Sequence, residues 1–141
     1  MHLVFSTKYR QQIIHPPVEA ELHNYLGGTC NSLDCQTLIV GGFTDHVHIL
    51  CMLSKKIALM GLLEKVKSHS SKWIKTIDKA YSNFYWQDGY GAFSVDPKGV
   101  DKVINYIASQ HEHHRQQTFQ NEYRGILKRY KVEYDERYVW D

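Results

Sequence analysis

Two histidines one residue apart, His46 and His48, sit in the stretch Asp45-His46-Val47-His48-Ile49-Leu50. The run from Val47 to Leu53 is apolar and follows a Gly41-Gly42 break, so the stretch reads as a buried strand. Strand side chains alternate between faces. His46 and His48 therefore share one face, and Val47, Ile49 and Cys51 share the other. Two imidazoles side by side on a rigid strand make half of a metal site. The rest of the site has to come from elsewhere in the chain.

The best source is the helix signalled by Asp96-Pro97, an N-cap residue followed by a first-turn proline, running to about Arg115. Val100, Val103, Ile104 and Ile107 form its core stripe, and Tyr106 and Gln110, four residues apart, are neighbours beside that stripe. By pattern alone the tyrosine is a core-edge aromatic and the glutamine a surface residue. His111, His113 and His114 make a second histidine cluster next to Gln110, which leaves open that one of them serves in its place as a ligand.

The elements that must hold these groups are readable in order. His2 to Thr7 is a strand ending in the basic turn Lys8-Tyr9-Arg10. Pro16-Pro17 opens a helix with Val18, Leu22, Tyr25 and Leu26 on its core face, and Gly27-Gly28 stops or weakens it. A strand from about Gln36 to Val40 forms a hairpin with the His46 strand. A long helix from about Ala58 to Lys79 follows, then a turn rich in glycine and aromatics, then a strand near Ala92 to Val95. After the Pro97 helix comes another, Phe119 to Tyr130, and a tail ending in Tyr138-Val139-Trp140 that docks on the body or on a partner. The first six elements spell β-α-β-β-α-β, an α+β, ferredoxin-like (RRM-like) antiparallel sheet with helices on one face and additional C-terminal helices. In that arrangement the first strand and the His46 strand are central, and His46 and His48 lie on the open face.

Bulk properties narrow the class. A chain of 141 residues, 43% hydrophobic and 23% charged, reads as one domain, residues 1–141, with enough chain for a real core. Three cysteines without a C-x-x-C pair argue against a disulfide framework and for a reducing, cytoplasmic setting. The first residues lack the pattern of a secretory signal, and no apolar run approaches the roughly 20 residues of a membrane span. Net charge is only +2, but from Lys55 to Ala80 seven lysines face Glu64 and Asp78, a local excess of +5. That helix is either an ordinary solvated face or a phosphate-contacting surface.

Taken together, His46-Val47-His48 and Tyr106-Ile107-Ala108-Ser109-Gln110 resemble the HUH motif and the nucleophile helix of the single-tyrosine transposases of the insertion sequence 200/605 family, which includes REP-associated tyrosine transposases. The N-terminal His2–Arg10 stretch, Ser70-Ser71-Lys72, and Trp86-Gln87 through Ser94 resemble it too. The resemblance implies a divalent cation, Mg²⁺ or Mn²⁺, on His46, His48 and Gln110. It implies attack by Tyr106 on a single-strand DNA phosphodiester, giving a 5′-phosphotyrosine link, and rejoining that mobilises an insertion sequence. It further implies hairpin element ends as substrate and a homodimer with shared active sites. Lys8, Arg10, Lys65, Lys67 and Lys72 would contact phosphates, and Trp86, Tyr90 and Phe93 are either base-stacking or core residues.

The competing readings are a non-catalytic RNA- or single-strand-DNA-binding module on the same sheet and a domesticated, palindrome-binding relative. A histidine-triad hydrolase would need a third alternating histidine where Leu50 stands.

Overall fold

The computed structural model describes all of Met1–Asp141. The elements are β1 (His2–Ser6), α1 (Val18–Ser32), β2 (Thr37–Phe43), β3 (His46–Cys51), α2 (Leu59–Ile77), β4 (Gly91–Phe93), α3 (Val100–Ala108), α4 (Gln110–His113) and α5 (Phe119–Arg129). The four strands form one antiparallel sheet in the order β2-β3-β1-β4, so β1 and the histidine strand β3 are central, as expected. An α+β architecture follows, with helices packed on the sheet.

Alternation along the central strands divides the protein into two layers. Leu3 and Phe5 of β1 and Val47, Ile49 and Cys51 of β3 point to one side, where they pack with Leu22 and Leu26 of α1 and Leu62, Val66 and Ile74 of α2. Trp86 belongs to this core, its indole N–H donating to Ser70 Oγ at 2.9 Å. Val4 and Phe93 point to the other side, against Phe119, Tyr123, Ile126 and Leu127 of α5. The face expected to be open is therefore covered, because α5 carries an apolar stripe that has nowhere else to be buried.

Glycines allow that cover to come close. In register, Gly41, His48, Val4 and Gly91 form one row across the sheet. A Cβ on Gly41 would lie 2.5 Å from the Ile107 carbonyl oxygen, and one on Gly91 would lie 2.6 Å from the Tyr123 hydroxyl. Helices α3 and α5 thus press directly on backbone at either end of the His48 row. This corrects the reading of Gly41-Gly42 as a break: β2 runs through both residues, and the turn falls at Thr44-Asp45. Similarly, α1 does not stop at Gly27-Gly28, since Gly27 lies against β2 and its carbonyl accepts from Thr37 Oγ1 at 2.9 Å.

The Pro97 helix is also not continuous to Arg115. A short 3-10 turn, Pro97–Gly99, with Asp96 capping Lys98 N, leads into α3, and the backbone leaves helical geometry at Ser109 (φ −98°, ψ 16°) before α4. The tail docks on the body: Arg124 pairs with Glu136 at 2.6 Å, and the Asp141 carbonyl accepts from Gly89 N at 2.9 Å. All three cysteines are free and buried, and no helix is long and apolar enough to cross a membrane.

Candidate active site

His46 and His48 are completely buried beneath α3, α4 and α5, and each ring is held from behind. The Asp45 carboxylate lies 2.8 Å from His46 Nδ1, and His2 Nε2 lies 2.8 Å from His48 Nδ1. His46 also stacks on Phe119, centroids 4.4 Å apart. Anchoring Nδ1 aims Nε2 at the interior, the usual way a metal-binding imidazole is oriented by its outer partner.

Both Nε2 atoms, together with that of His114, converge on one carboxylate oxygen. Glu122 Oε1, from α5, lies 3.4 Å from His46 Nε2, 3.3 Å from His48 Nε2 and 3.2 Å from His114 Nε2. Gln110 Oε1 is 2.8 Å from His46 Nε2 and 3.1 Å from His114 Nε2. The other Glu122 oxygen, Oε2, accepts from Gln110 Nε2 at 2.8 Å and from the Tyr106 hydroxyl. Glu122 thus joins the histidine cluster to the tyrosine, and the kink at Ser109 does not separate Tyr106 from Gln110, since both donate to the same atom.

This set fits a divalent cation. His46, His114 and Glu122 offer donor atoms all within 4.8 Å of one another, and imidazole nitrogen with carboxylate and amide oxygen is a chemically reasonable ligand mixture. The charges agree. Burial would lower the His46 pKa, but hydrogen bonds to Asp45 and Glu122 outweigh it and lift the group to about 9. For His48, burial wins and the pKa falls below its ordinary value. Burial works against an ionised Glu122, yet its hydrogen bonds from His114, His46 and His48 hold it well below the usual carboxylate range. Tyr106 is pushed far above its ordinary value, by burial first and then by the negative charge of Glu122. The phenol is therefore a hydrogen-bond donor at neutral pH and needs nearby positive charge to become a nucleophile.

Such charge lines the approach. A cleft of about 520 Å³ opens onto the half-buried Tyr106 and Glu122, with Lys102, His113 and Arg129 along its walls. A second cleft, about 670 Å³, reaches Asp45 and His114 from the other side of α4 and carries Tyr9, Arg10 and Gln117.

The four residues singled out for chemistry, His46, His48, Tyr106 and Gln110, all meet here within one chain. Of the five basic residues singled out, only Arg10 lines either cleft. Lys65 and Lys72 are exposed on α2, across the sheet from the histidines. Lys67 donates to the carbonyls of Gln87, Asp88 and Gly89 at 2.9, 3.2 and 2.6 Å, and burial lowers its ammonium to about 8. Lys8 pairs with Asp88 at 3.5 Å, and Arg10 lies over the Trp140 ring while donating to the Trp140 carbonyl. Sequence reasoning missed Glu122, Asp45 and His2, and kept His114 only as an alternative. A signal for Glu122 existed: it stands second in the stripe Phe119, Glu122, Tyr123, Ile126, where a charge has to be paired if that face is buried.

Comparison with known proteins gives the family and the fold. The family model described as "Transposase IS200 like" matches residues 1–110, so His114 and Glu122 lie beyond the matched span. The ISDra2 transposase TnpA of Deinococcus radiodurans is 22% identical over 116 residues, 79% of this chain and 83% of that protein. The transposase for insertion sequence element IS200 of Salmonella typhimurium is 26% identical over 116 residues, 79% and 76% of the two chains. Among solved structures, a protein assigned as a transposase from Deinococcus radiodurans R1 superposes with a TM-score of 0.61 at 19% identity, covering 77% of this chain and 88% of that one. A REP-associated tyrosine transposase bound to a REP hairpin gives 0.59 at 10% identity, covering 80% and 66%. With a family match over most of its length, and with the histidine pair and tyrosine brought to one centre, the chain belongs to the IS200-like transposase family.

Proposed function

We propose that this transposase cuts and rejoins single-stranded DNA through a covalent link to Tyr106. The observation that carries the reading is the continuous contact from His46 and His48 through Glu122 and Gln110 to the Tyr106 hydroxyl. Tyr106 Oη attacks the scissile phosphorus, the 3′-oxygen leaves and takes up a proton as a 3′-hydroxyl, and the DNA 5′ side stays on the enzyme as a 5′-phosphotyrosine. Attack by a 3′-hydroxyl reverses the step, frees Tyr106 and joins strands. His46, His48 and Gln110, Gln110 with His114 as its neighbour, would hold Mg²⁺ or Mn²⁺. When bound, that cation supplies Lewis-acid stabilisation of charge on the phosphate oxygens. Glu122 and Gln110 orient the phenol. Lys102 and Arg129 flank it and favour both the phosphate and the phenolate, while Lys8, Arg10, Lys65, Lys67 and Lys72 stay the proposed contacts to other DNA phosphates.

Hairpin-forming element ends are the proposed substrate, in line with the hairpin bound to the structural relative. The resemblance to the family favours a homodimer. The tyrosine, however, reaches the histidines of its own chain, which supports catalysis within one chain rather than sites shared between two. Mixing inactive Tyr106→Phe and His46→Ala chains tests this: mixed dimers stay inactive if each chain completes its own site and regain activity if sites are shared.

The decisive assay incubates end-labelled single-stranded oligonucleotides from the DNA flanking this gene with the protein, in Mg²⁺, Mn²⁺ or EDTA. An SDS-resistant adduct that needs the cation and disappears in Tyr106→Phe is expected. An adduct surviving Tyr106→Phe overturns the assignment of the nucleophile. Tight hairpin binding without any adduct points instead to a palindrome-binding relative.

A further inference from the structure

We infer that Glu122 and His114 are cation ligands alongside His46 and His48, and that this nitrogen-rich centre selects a transition-metal dication such as Mn²⁺ over Mg²⁺. The inference rests on the reading of the site as a cation centre and goes beyond it in ligand set and metal. Its basis is the convergence of three imidazole Nε2 atoms, each 3.2–3.4 Å from a single carboxylate oxygen, with His46, His48 and Glu122 themselves buried.

Charge balance supports a carboxylate at this place. A dication beside neutral imidazoles and an amide would leave two unbalanced positive charges in a buried pocket, which is costly. Glu122 and Asp45, both against the histidine cluster, supply two negative charges. Donor chemistry then discriminates among cations. Mg²⁺ prefers oxygen donors and gives up its waters reluctantly. Here three of the converging donors are imidazole nitrogens, and His46 and His48 are 0% exposed, so a hydrated ion has little access to them. Imidazole nitrogen favours later first-row metals, with affinity rising from Mn²⁺ upward. Held Nδ1 atoms on His46 and His48 raise the donor strength of the opposite nitrogens. Glu122 carries a second function through its other oxygen, which holds the Tyr106 hydroxyl, so loading the centre is coupled to where the nucleophile sits.

The test is calorimetric titration of the chelator-stripped full chain with Mn²⁺ and with Mg²⁺ alone, with no DNA present, and spin-echo EPR of bound Mn²⁺. Mn²⁺ is expected to bind at least about tenfold more tightly than Mg²⁺. Glu122→Gln and His114→Ala are each expected to weaken Mn²⁺ by about tenfold or more, and Glu122→Asp to restore part of the loss. The nitrogen modulation in the EPR signal should decrease in His114→Ala. Equal affinity for Mg²⁺ and Mn²⁺ overturns the selectivity. Unchanged or tighter Mn²⁺ binding in both Glu122→Gln and Glu122→Asp overturns the ligand role, leaving Glu122 as an occupant that a cation must displace. His46→Ala separates this failure from a deeper one: if it abolishes binding while the Glu122 variants do not, only the ligand set is wrong, whereas wild-type binding in His46→Ala removes the cation centre itself.

Discussion

The two faces of the sheet are built from the same strands and obey different physics. On one side, Leu3, Phe5, Val47 and Ile49 meet α1 and α2 in an apolar core that asks only for volume and shape. On the other, His46, His48, Gln110 and Glu122 are just as buried but polar, and each is satisfied by a specific partner. An apolar fringe from Phe119, Tyr123, Ile126 and Leu127 borders that network. One face therefore contributes stability through burial, and the other uses burial to concentrate charge around the Tyr106 hydroxyl, at a cost in desolvation. Residue alternation in β3 is what lets a single strand serve both.

Substitutions that affect only one face are the way to break this comparison. The largest effect belongs to Tyr106→Phe, which removes one hydroxyl from the polar face. Adduct formation should vanish in the gel assay while the thermal melt stays within a few degrees of wild type. Gly41→Ala comes next. The new Cβ would meet the Ile107 carbonyl, so α3 has to shift and carry Tyr106 with it. A loss of about 100-fold in cleavage rate is expected from misplacing the nucleophile by an ångström or so. Leu62→Ala on the apolar face should do the reverse, lowering stability by about 2–5 kcal/mol in denaturant melts and leaving Mn²⁺ affinity at the level of wild type. If Leu62→Ala weakens the cation as much as His46→Ala, the faces are not independent.

A pH scan of the cation-free protein sharpens the contrast. His46 titrates higher in the folded chain than its ordinary 6.5, at about 9, so its contribution is full below pH 6.5 and fades as pH rises toward 9. His48 and His2 are shifted down, His2 to about 3 by burial and then by His48, so stability also falls as pH drops below 6.5. Melting temperature should peak near pH 6.5, and His46→Gln should flatten the alkaline side. A melt unchanged from pH 6.5 to 9 would mean His46 is not held protonated by Asp45 and Glu122. The smallest expected change is Gly28→Ala in α1, where the added methyl meets nothing within 4 Å. Removing a mid-helix glycine should add about 0.5–1 kcal/mol and leave both faces as they were.

Most of the site was readable because local rules are strong where it lies. Strict alternation puts His46 and His48 on one face, and the four-residue spacing keeps Tyr106 near Gln110 even across the Ser109 kink. The glycine pairs misled for a shared reason. Glycine at 27 and 41 marks close packing with another element rather than a break, and one-dimensional pattern does not distinguish these. Charge density along α2 could not say which side of the sheet the helix covers, and it covers the side away from the histidines.

What the sequence alone determined was the element order, the central place of the histidine strand, and the histidine pair with its downstream tyrosine and glutamine, since each follows from spacings within a few residues. Only the tertiary structure decided that α5 closes the second face, that Glu122 and His114 enter the site, and that Lys67 clamps a loop. Those outcomes depend on contacts between residues far apart in the chain, such as His48 and Glu122, 74 positions apart. Nothing local specifies such a meeting. It is settled when the apolar stripe of α5 finds the sheet face where it can be buried.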